Sequence, residues 1–185
     1  MELLHTELDG EERNAAHKFF LTLAACNTVI PICTKSSPCD IQNNMDDSSV
    51  TIEYQGESPD KQALVAVASA YCYTLCERKS GHIVIDVKGE KLRLDVLGLH
   101  EFDSVRKRMS VVIRFPNDTV NVLVKGADTS IFSILSKDHE QIQNYTRNHL
   151  REYSSEGLRT LLVVEGILQE NLRSGNARTR MLAHP

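Results

Sequence analysis

Apolar and polar positions alternate along two neighbouring stretches of the chain, Met109–Phe115 and Val120–Lys125. Alternation with a period of two is typical of β-strands that bury one face. The residues that separate the two stretches, 116–118, are Pro, Asn and Asp, which favour a tight turn. The pattern therefore predicts an antiparallel hairpin near the middle of the chain.

Further strands and helices are predicted on both sides of this hairpin. Short runs with strand character lie at Thr51–Gln55, Tyr73–Arg78, His82–Val87, Leu92–His100 and Arg159–Val164. Helical patterns lie at Glu11–Ala25, Gln62–Tyr71, Asp128–Leu135 and His139–Tyr153. We therefore expect an α+β fold, with an antiparallel sheet of about six to seven strands flanked by helices.

Two of the helices carry more specific expectations. In the first, Ala15, Phe19 and Leu23 fall on one stripe, which should face the core. The second should begin with Ser58 as its N-cap and Pro59 in its first turn. Because this second helix is rich in Ala and Val, we expect it to be largely buried.

The domain organisation is expected to be simple. Residues 1–165 should form one domain, interrupted by a polar surface loop at residues 34–49. Residues 166–185 have a weak helical tendency and are expected to form a divergent C-terminal tail.

Composition narrows the class of protein and the kinds of partner. The 185-residue chain is 41% hydrophobic and 25% charged, with a formal net charge of −4. These values are ordinary for one soluble globular domain. The mild acidity argues against nucleic acid as a partner, because phosphate backbones favour a basic surface.

Cysteine, histidine and apolar patterns exclude other classes of site. The five cysteines form no C-x-x-C pair, which indicates reduced, mostly buried thiols in a cytosolic protein. The histidines lack metal-ligand spacing with a cysteine, so no zinc site is expected. No signal peptide is evident, and the longest apolar stretch, Phe19–Ile32, is too short to span a bilayer, so direct membrane insertion is not expected.

Candidate binding residues gather at one end of the predicted hairpin. Phe102 stands before its first strand, and Lys125 closes its second strand. In an antiparallel pair the start of one strand lies opposite the end of the next, so Phe102, Lys107 and Lys125 can meet. An exposed ring beside two ammonium groups suits an adenine ring and a polyphosphate. Alternatively, Phe102 is a core aromatic residue and Lys125 belongs to a solvated turn.

Several motifs agree with this chemistry and carry a family resemblance. EFDSVRKRMSV, followed by VLVKGAD, resembles the nucleotide-binding (N) domain of P-type ATPases, specifically the phospholipid-transporting P4 subfamily (flippases). FFLTLAACNTVIPI, YQGESPDKQALV and YSSEGLRTLLVV agree in order and spacing, and GHIVIDVKGEK is most similar to plant members. The resemblance covers about Leu8 to Val164, so it implies that residues 1–165 are a nucleotide-binding domain.

The resemblance implies a role for each residue of an ATP site. Phe102 would stack on adenine, and Lys107 would reach toward the phosphates. Lys125 would lie along the nucleotide, and Gly126 would allow close approach of the backbone. Arg159 would contact the phosphate–sugar end, because its guanidinium donates in a fork and stays charged. A strand-edge Arg159 paired with Glu156 is the structural alternative.

Lys61 departs from the family pattern. The motif SPDE has Glu at this position, where its carboxylate can accept a hydrogen bond from the adenine amino group. Lysine has donors and no acceptor, which predicts weaker ATP binding or poorer base selectivity. Glu57 is near in sequence, but we expect its side chain to point elsewhere.

The sequence also lacks the motifs needed for catalysis. The phosphorylation motif DKTGT and the hinge motif GDGxND do not occur in it. Phosphoryl transfer requires an acceptor and carboxylates for Mg²⁺, so this chain alone is not expected to hydrolyse ATP, and the Mg²⁺ ligands of a parent enzyme would lie elsewhere.

The resemblance therefore implies an ATP-binding N domain of a flippase. Its partners would be ATP and the phosphorylation and actuator domains of the parent pump. It would lie in the cytosol and be membrane-associated as part of that pump. Two alternatives stay open, a truncated stand-alone nucleotide-binding or regulatory module without catalysis, and an interaction domain whose nucleotide site has decayed.

Overall fold

The computed structural model describes residues 10–34, 51–136, 140–168 and 180–182. Helices in these ranges are α1 (Gly10–Ala25), α2 (Pro59–Ala70), α3 (Asp128–Phe132) and α4 (Glu140–Ser155). The strands are β1 (Ile30–Thr34), β2 (Thr51–Gln55), β3 (Tyr73–Arg78), β4 (His82–Val87), β5 (Glu90–Asp103), β6 (Arg108–Arg114), β7 (Val120–Gly126), β8 (Leu162–Leu168) and β9 (Arg180–Leu182).

The main sheet is an antiparallel meander. Its strands lie in the order β3-β4-β5-β6-β7-β8-β9, each paired with the next along the chain, while β1 and β2 form a separate two-stranded sheet. The predicted central hairpin is β6 and β7, with Met109 opposite Lys125 and Val111 opposite Leu123. The α+β architecture predicted from the hydrophobic pattern is confirmed.

Helices cover both faces of this sheet. On one face, α1 packs against β3, β4, β7 and β8, and α2 packs against the edge strand β3. Met109, Val111 and Ile113 alternate along β6 as buried residues of the core on this face. On the other face, Ile131 of α3 packs with Val124 and Val164 in a smaller cluster. The alternation along each strand thus supplies one apolar face to each helical layer.

Helix burial differs from the prediction in both helices on the first face. Leu23 is buried, but Phe19 is 44% exposed. Its ring lines an open cavity between α1, α4 and the start of β8 instead of packing into the core. In α2 only Val65 and Ala68 are fully buried. Ser58 occupies the N-cap position with an extended backbone, but its side chain makes no capping hydrogen bond.

Several element boundaries also differ from the prediction. β1 was not predicted, and its last residue, Thr34, lies inside the segment interpreted as a loop; residues 35–50 are outside the described ranges. β8 begins at Leu162 rather than Arg159 and continues to Leu168, beyond the predicted domain end. Of the predicted tail, β9 is described as a strand, and residues 169–179 and 183–185 are outside the described ranges.

The prediction of mostly buried thiols is wrong for the cysteines that the structure describes. Cys26 is buried, Cys76 is half-buried, and Cys33 and Cys72 are exposed. Cys26 is enclosed because it follows α1 directly under the sheet, whereas Cys33 lies on the small β1–β2 sheet near the surface.

Candidate functional site

Phe102 is presented to solvent near the end of β5. Its side chain is 57% exposed, which rules out the alternative of a core aromatic residue. Asp103, the next residue, closes the turn into β6 by accepting hydrogen bonds from the Lys107 amide at 2.6 Å and the Val105 amide at 2.6 Å. A rigid turn therefore holds an exposed ring at this end of the sheet, where it can stack on a planar ligand.

Lys125 has the opposite environment. It lies on β7 between Met109 of β6 and Val163 of β8, and it is only 6% exposed. Its Nζ atom has no hydrogen-bond partner among the residues that the structure describes. A buried ammonium without a partner is costly, so the alternative of a solvated turn residue does not apply.

Burial lowers the pKa of Lys125 below its usual value. The positive charges of Lys61 and Arg78 lower the pKa further, and only a negatively charged Cys26 would oppose them. Complete burial raises the pKa of Cys26 to about 11, so this thiol is neutral at neutral pH. Cys26 therefore provides no counter-charge for the Lys125 ammonium.

Gly126 allows two backbone segments to approach closely. A Cβ atom at this position would lie 2.6 Å from the Lys107 carbonyl oxygen and 2.6 Å from the Arg108 Cβ. The Lys107 carbonyl also accepts a hydrogen bond from the Ala127 amide at 3.0 Å. Lys107 itself is exposed, with a positive φ of 52°. Gly126 thus brings the Lys107 turn against the end of β7.

Lys61 lies in the first turn of α2 and is held by two oxygen atoms. Its Nζ donates to Thr28 Oγ1 at 3.1 Å and to Glu57 Oε2 at 3.3 Å. The expectation that Glu57 points elsewhere is wrong, because the two side chains are one helical turn apart and carry opposite charges. Lys61 is also close enough to Lys125 to lower the pKa of Lys125.

Arg159 lies in the segment between α4 and β8 and pairs with the same helical turn. Its Nη1 is 2.8 Å from Asp60 Oδ2. Arg159 thus forms an ion pair with Asp60 of α2, which is distant in sequence, and not the alternative pair with Glu156. The Arg159 side chain is 87% exposed, so its guanidinium can still donate to a ligand. Since Asp60 precedes Lys61 directly, this ion pair brings Arg159 to the α2 side of the candidate site.

The predicted residues thus form two neighbouring groups. Lys61 and Arg159 lie at the start of α2, and Phe102 and Lys107 lie at the β5–β6 turn. Lys125 and Gly126 are consecutive on β7 and lie between the two groups. Lys125 is near Lys61, and Gly126 lies against the Lys107 carbonyl. Asp103 is paired with Arg108, and the β5–β6 register shifts between His100 and Asp103. Phe102 therefore lies in an irregular stretch at the end of β5, beside the start of β6.

A separate cavity lies beside this arrangement. Its volume is about 660 Å³, and its lining comes from Phe19 of α1, from α4 and from residues 158–163. Arg159 contributes to the lining, whereas Phe102, Lys107 and Lys125 do not.

The family of the chain follows from comparison with known proteins. The profile of the family described as "P-type ATPase, cytoplasmic domain N" matches residues 25–180. The chain belongs to this family of P-type ATPase N domains. This is the family that the sequence motifs had indicated.

Curated relatives place the N domain among phospholipid-transporting ATPases. It is 49% identical over 163 residues to Phospholipid-transporting ATPase 1 of Arabidopsis thaliana, covering 88% of the chain and 13% of the relative. It is 37% identical to Phospholipid-transporting ATPase DRS2 of Saccharomyces cerevisiae, over 82% of the chain and 10% of the relative. It is 30% identical to Phospholipid-transporting ATPase ID of Homo sapiens, over 90% and 13%. The chain thus spans about an eighth or less of the length of these relatives.

The sequence interpretation missed the residues that hold the turn beside the candidate site. Arg78 of β3 donates to the Val29 carbonyl at 2.9 Å and to Asn27 Oδ1 at 2.9 Å. Asn27 in turn donates to the Leu23 and Ala24 carbonyls at the end of α1. These bonds fix the Cys26-Asn27-Thr28 turn, which provides the thiol under Lys125 and the hydroxyl that holds Lys61. The signal in the sequence was limited to the stretch FFLTLAACNTVIPI, which carried the family resemblance and contains Cys26, Asn27 and Thr28.

The described part of the N domain contains neither a membrane-spanning helix nor a metal-binding cluster. None of its helices combines the length and apolarity that a bilayer crossing requires. No group of three or more His, Cys, Asp or Glu side chains is placed to hold a metal ion among the described residues.

Proposed function

We propose that this N domain binds ATP and presents it within a phospholipid-transporting P-type ATPase. The observation that carries the proposal is the burial of Lys125, which is 6% exposed and whose ammonium has no hydrogen-bond partner among the described residues. Folding leaves this charge desolvated, and an anionic ligand would satisfy it. A nucleotide phosphate is an anion that also brings a base for Phe102.

The remaining residues divide the nucleotide between them. Phe102 offers a ring face to the base, and its exposure means that no repacking is needed. Lys107 and Lys125 donate to phosphate oxygens. Arg159 donates in a fork to a phosphate or the ribose while Asp60 orients it. Gly126 keeps the strand end clear of a Cβ that would displace the Lys107 turn.

The domain's part in the reaction is to hold and orient the nucleotide. Mg²⁺ would arrive with the phosphates, and it neutralises charge on them during phosphoryl transfer. An aspartate on a phosphorylation domain of the parent pump would accept the γ-phosphoryl group. An actuator domain would be the other partner within that pump. Coupling of that cycle to phospholipid movement belongs to the parent protein, for which the names of the relatives are the support.

Lys61 favours a second candidate function, a module whose nucleotide site has weakened. Its ammonium adds a positive charge near Lys125 and is already engaged by Glu57 and Thr28. In that case the chain would be an interaction domain that contacts a partner protein and does not depend on ATP.

Isothermal titration of the purified chain with Mg-ATP tests the proposal. We expect saturable binding, and we expect Phe102→Ala to raise the dissociation constant roughly 5- to 150-fold, since base stacking contributes about 1–3 kcal/mol. Val105→Ala is the matched control, because Val105 is 88% exposed on the same turn. Absence of binding, or equal affinity in wild type and Phe102→Ala, would favour the weakened module instead.

A further inference from the structure

Two cysteines that the candidate site does not use lie on different sheets of the fold. Cys33 is on β1 of the two-stranded sheet and is exposed. Cys76 is on β3, the edge strand of the main sheet, and is half-buried. Both are free thiols.

The pairing of β1 with β2 determines the face on which Cys33 lies. Cys33 is opposite Ile52, and Pro31 is opposite Tyr54. Directly opposed residues share a face, and so do residues two apart on one strand. Cys33 is therefore on the same face of the small sheet as Tyr54.

Tyr54 shows that this face turns toward β3. Its ring is partly buried against the main core, and its hydroxyl lies beside the Leu75 backbone and Cys76. β1 packs directly on β3, and Arg78 of β3 donates to the Val29 carbonyl just before β1 at 2.9 Å. The face that carries Cys33 is thus held against the strand that carries Cys76.

Cys76 has no partner in the β3–β4 ladder, although its thiol donates to the Thr74 carbonyl at 3.4 Å. The β3–β4 register shifts between Leu75 and Glu77, so Cys76 is the extra residue of a β-bulge. A bulge leaves its residue unpaired and re-aims its side chain. A negative charge on Cys33 would raise the pKa of the Cys76 thiol, which agrees with the packing of β1 on β3.

We propose that Cys33 and Cys76 form a reversible disulfide that fastens the β1–β2 sheet to the main sheet. The oxidant is a small-molecule disulfide such as oxidised glutathione. The Cys33 thiolate attacks one of its sulfurs, a proton goes to solvent, and one glutathione thiolate leaves. The Cys76 sulfur then attacks the mixed disulfide, loses its proton and releases the second glutathione. Two protein thiols are oxidised and one glutathione disulfide is reduced to two thiols.

The order of these steps follows from exposure. Cys33 is accessible to the oxidant, whereas burial raises the pKa of the Cys76 thiol, which disfavours Cys76 as the first nucleophile. Cys72 lies in the turn between α2 and β3 and is also exposed, but it is not part of the β3 segment that faces Tyr54. It is therefore the matched control thiol.

The test is to incubate the whole chain with oxidised glutathione, block remaining thiols and map disulfides by mass spectrometry. Trypsin should place Cys33 on peptide 19–35 and Cys76 on peptide 62–78. Each peptide carries a second cysteine, Cys26 and Cys72, so fragmentation of the linked pair assigns the bond. We expect a Cys33–Cys76 linkage, loss of two titratable thiols and full recovery of both with dithiothreitol.

Variants separate this bond from other oxidation. Cys33→Ser and Cys76→Ser should each abolish the linkage, and Cys72→Ser should retain it. A linkage of Cys33 to Cys39, a bond between two chains, or only singly glutathionylated Cys33 would overturn the proposal. The wild-type peptide map decides the question even if a serine variant fails to fold.

Discussion

Replacing Lys125 with methionine tests whether this lysine destabilises the ligand-free domain and is needed for ATP binding. Lys125 is 6% exposed, and its ammonium has no hydrogen-bond partner among the described residues. The neighbouring Cys26 thiol is neutral, and Lys61 and Arg78 are both positive. Methionine has a similar length, fills the same space and removes the charge.

The expected gain in stability follows from the cost of the unpaired group. A buried polar group without a partner costs about 1–3 kcal/mol. Lys125→Met should therefore raise the free energy of unfolding of the ligand-free domain by a similar amount. For a domain of this size each kcal/mol shifts Tm by about 2–4 °C, so Tm should rise by roughly 2–12 °C. ATP binding should be lost in the same variant.

The pH dependence has a defined sign. The folded-state pKa of Lys125 is lowered by burial, so above that pKa the unfolded chain binds more protons at this site than the folded one. Stability of the wild type should then rise with pH between the lowered pKa and the usual lysine value of 10.5. The advantage of Lys125→Met should be full at pH values below the lowered pKa and should shrink across that window.

Thermal melts of both proteins without nucleotide, at neutral and alkaline pH, make the measurement. Lys91→Met is the control, because Lys91 is exposed on β5 and its substitution should change stability by less than about 0.5 kcal/mol. A Lys125→Met domain that melts at or below the wild-type temperature would refute the reasoning.

Two other substitutions test the α2 side of the site. Lys61→Glu should lower the dissociation constant for ATP and raise the ATP-to-GTP preference roughly tenfold, because a hydrogen bond to a charged acceptor contributes about 1.5 kcal/mol or more; an unchanged constant in calorimetry would contradict this. Arg159→Ala should weaken ATP binding by a similar factor and leave Tm nearly unchanged, because its exposed ion pair with Asp60 contributes about 0–1 kcal/mol. A large fall in Tm with unaltered affinity would make Arg159 a structural residue instead.

The main sheet could be predicted because its signals are local. β3 to β7 follow one another along the chain through short turns, so alternation and turn residues were enough to find them. The hairpin register that places Met109 opposite Lys125 depends only on residues within the hairpin. β1 was missed because its partner, β2, is distant in sequence and Pro31 interrupts its pattern.

The individual site residues could be named from motifs, but their environments could not be predicted. A lysine at a strand end suggests exposure, whereas Lys125 is buried, and the charged or ionisable groups near it, Cys26 and Arg78, come from remote parts of the sequence. The contacts of Lys61 with Thr28 and of Arg159 with Asp60 also join distant segments. Such contacts depend on the packing of the whole fold, so the hydrophobic periodicity of the sequence does not predict them.

The central claim is that residues from separate elements of this domain form one nucleotide site. The most direct test is to titrate the isotopically labelled chain with Mg-ATP and follow its backbone amide resonances. The account predicts that the signals of Lys61, Phe102, Lys107, Gly126 and Arg159 move together with a single dissociation constant. Shifts confined to the α4 cavity, or separate constants for the two groups, would contradict it.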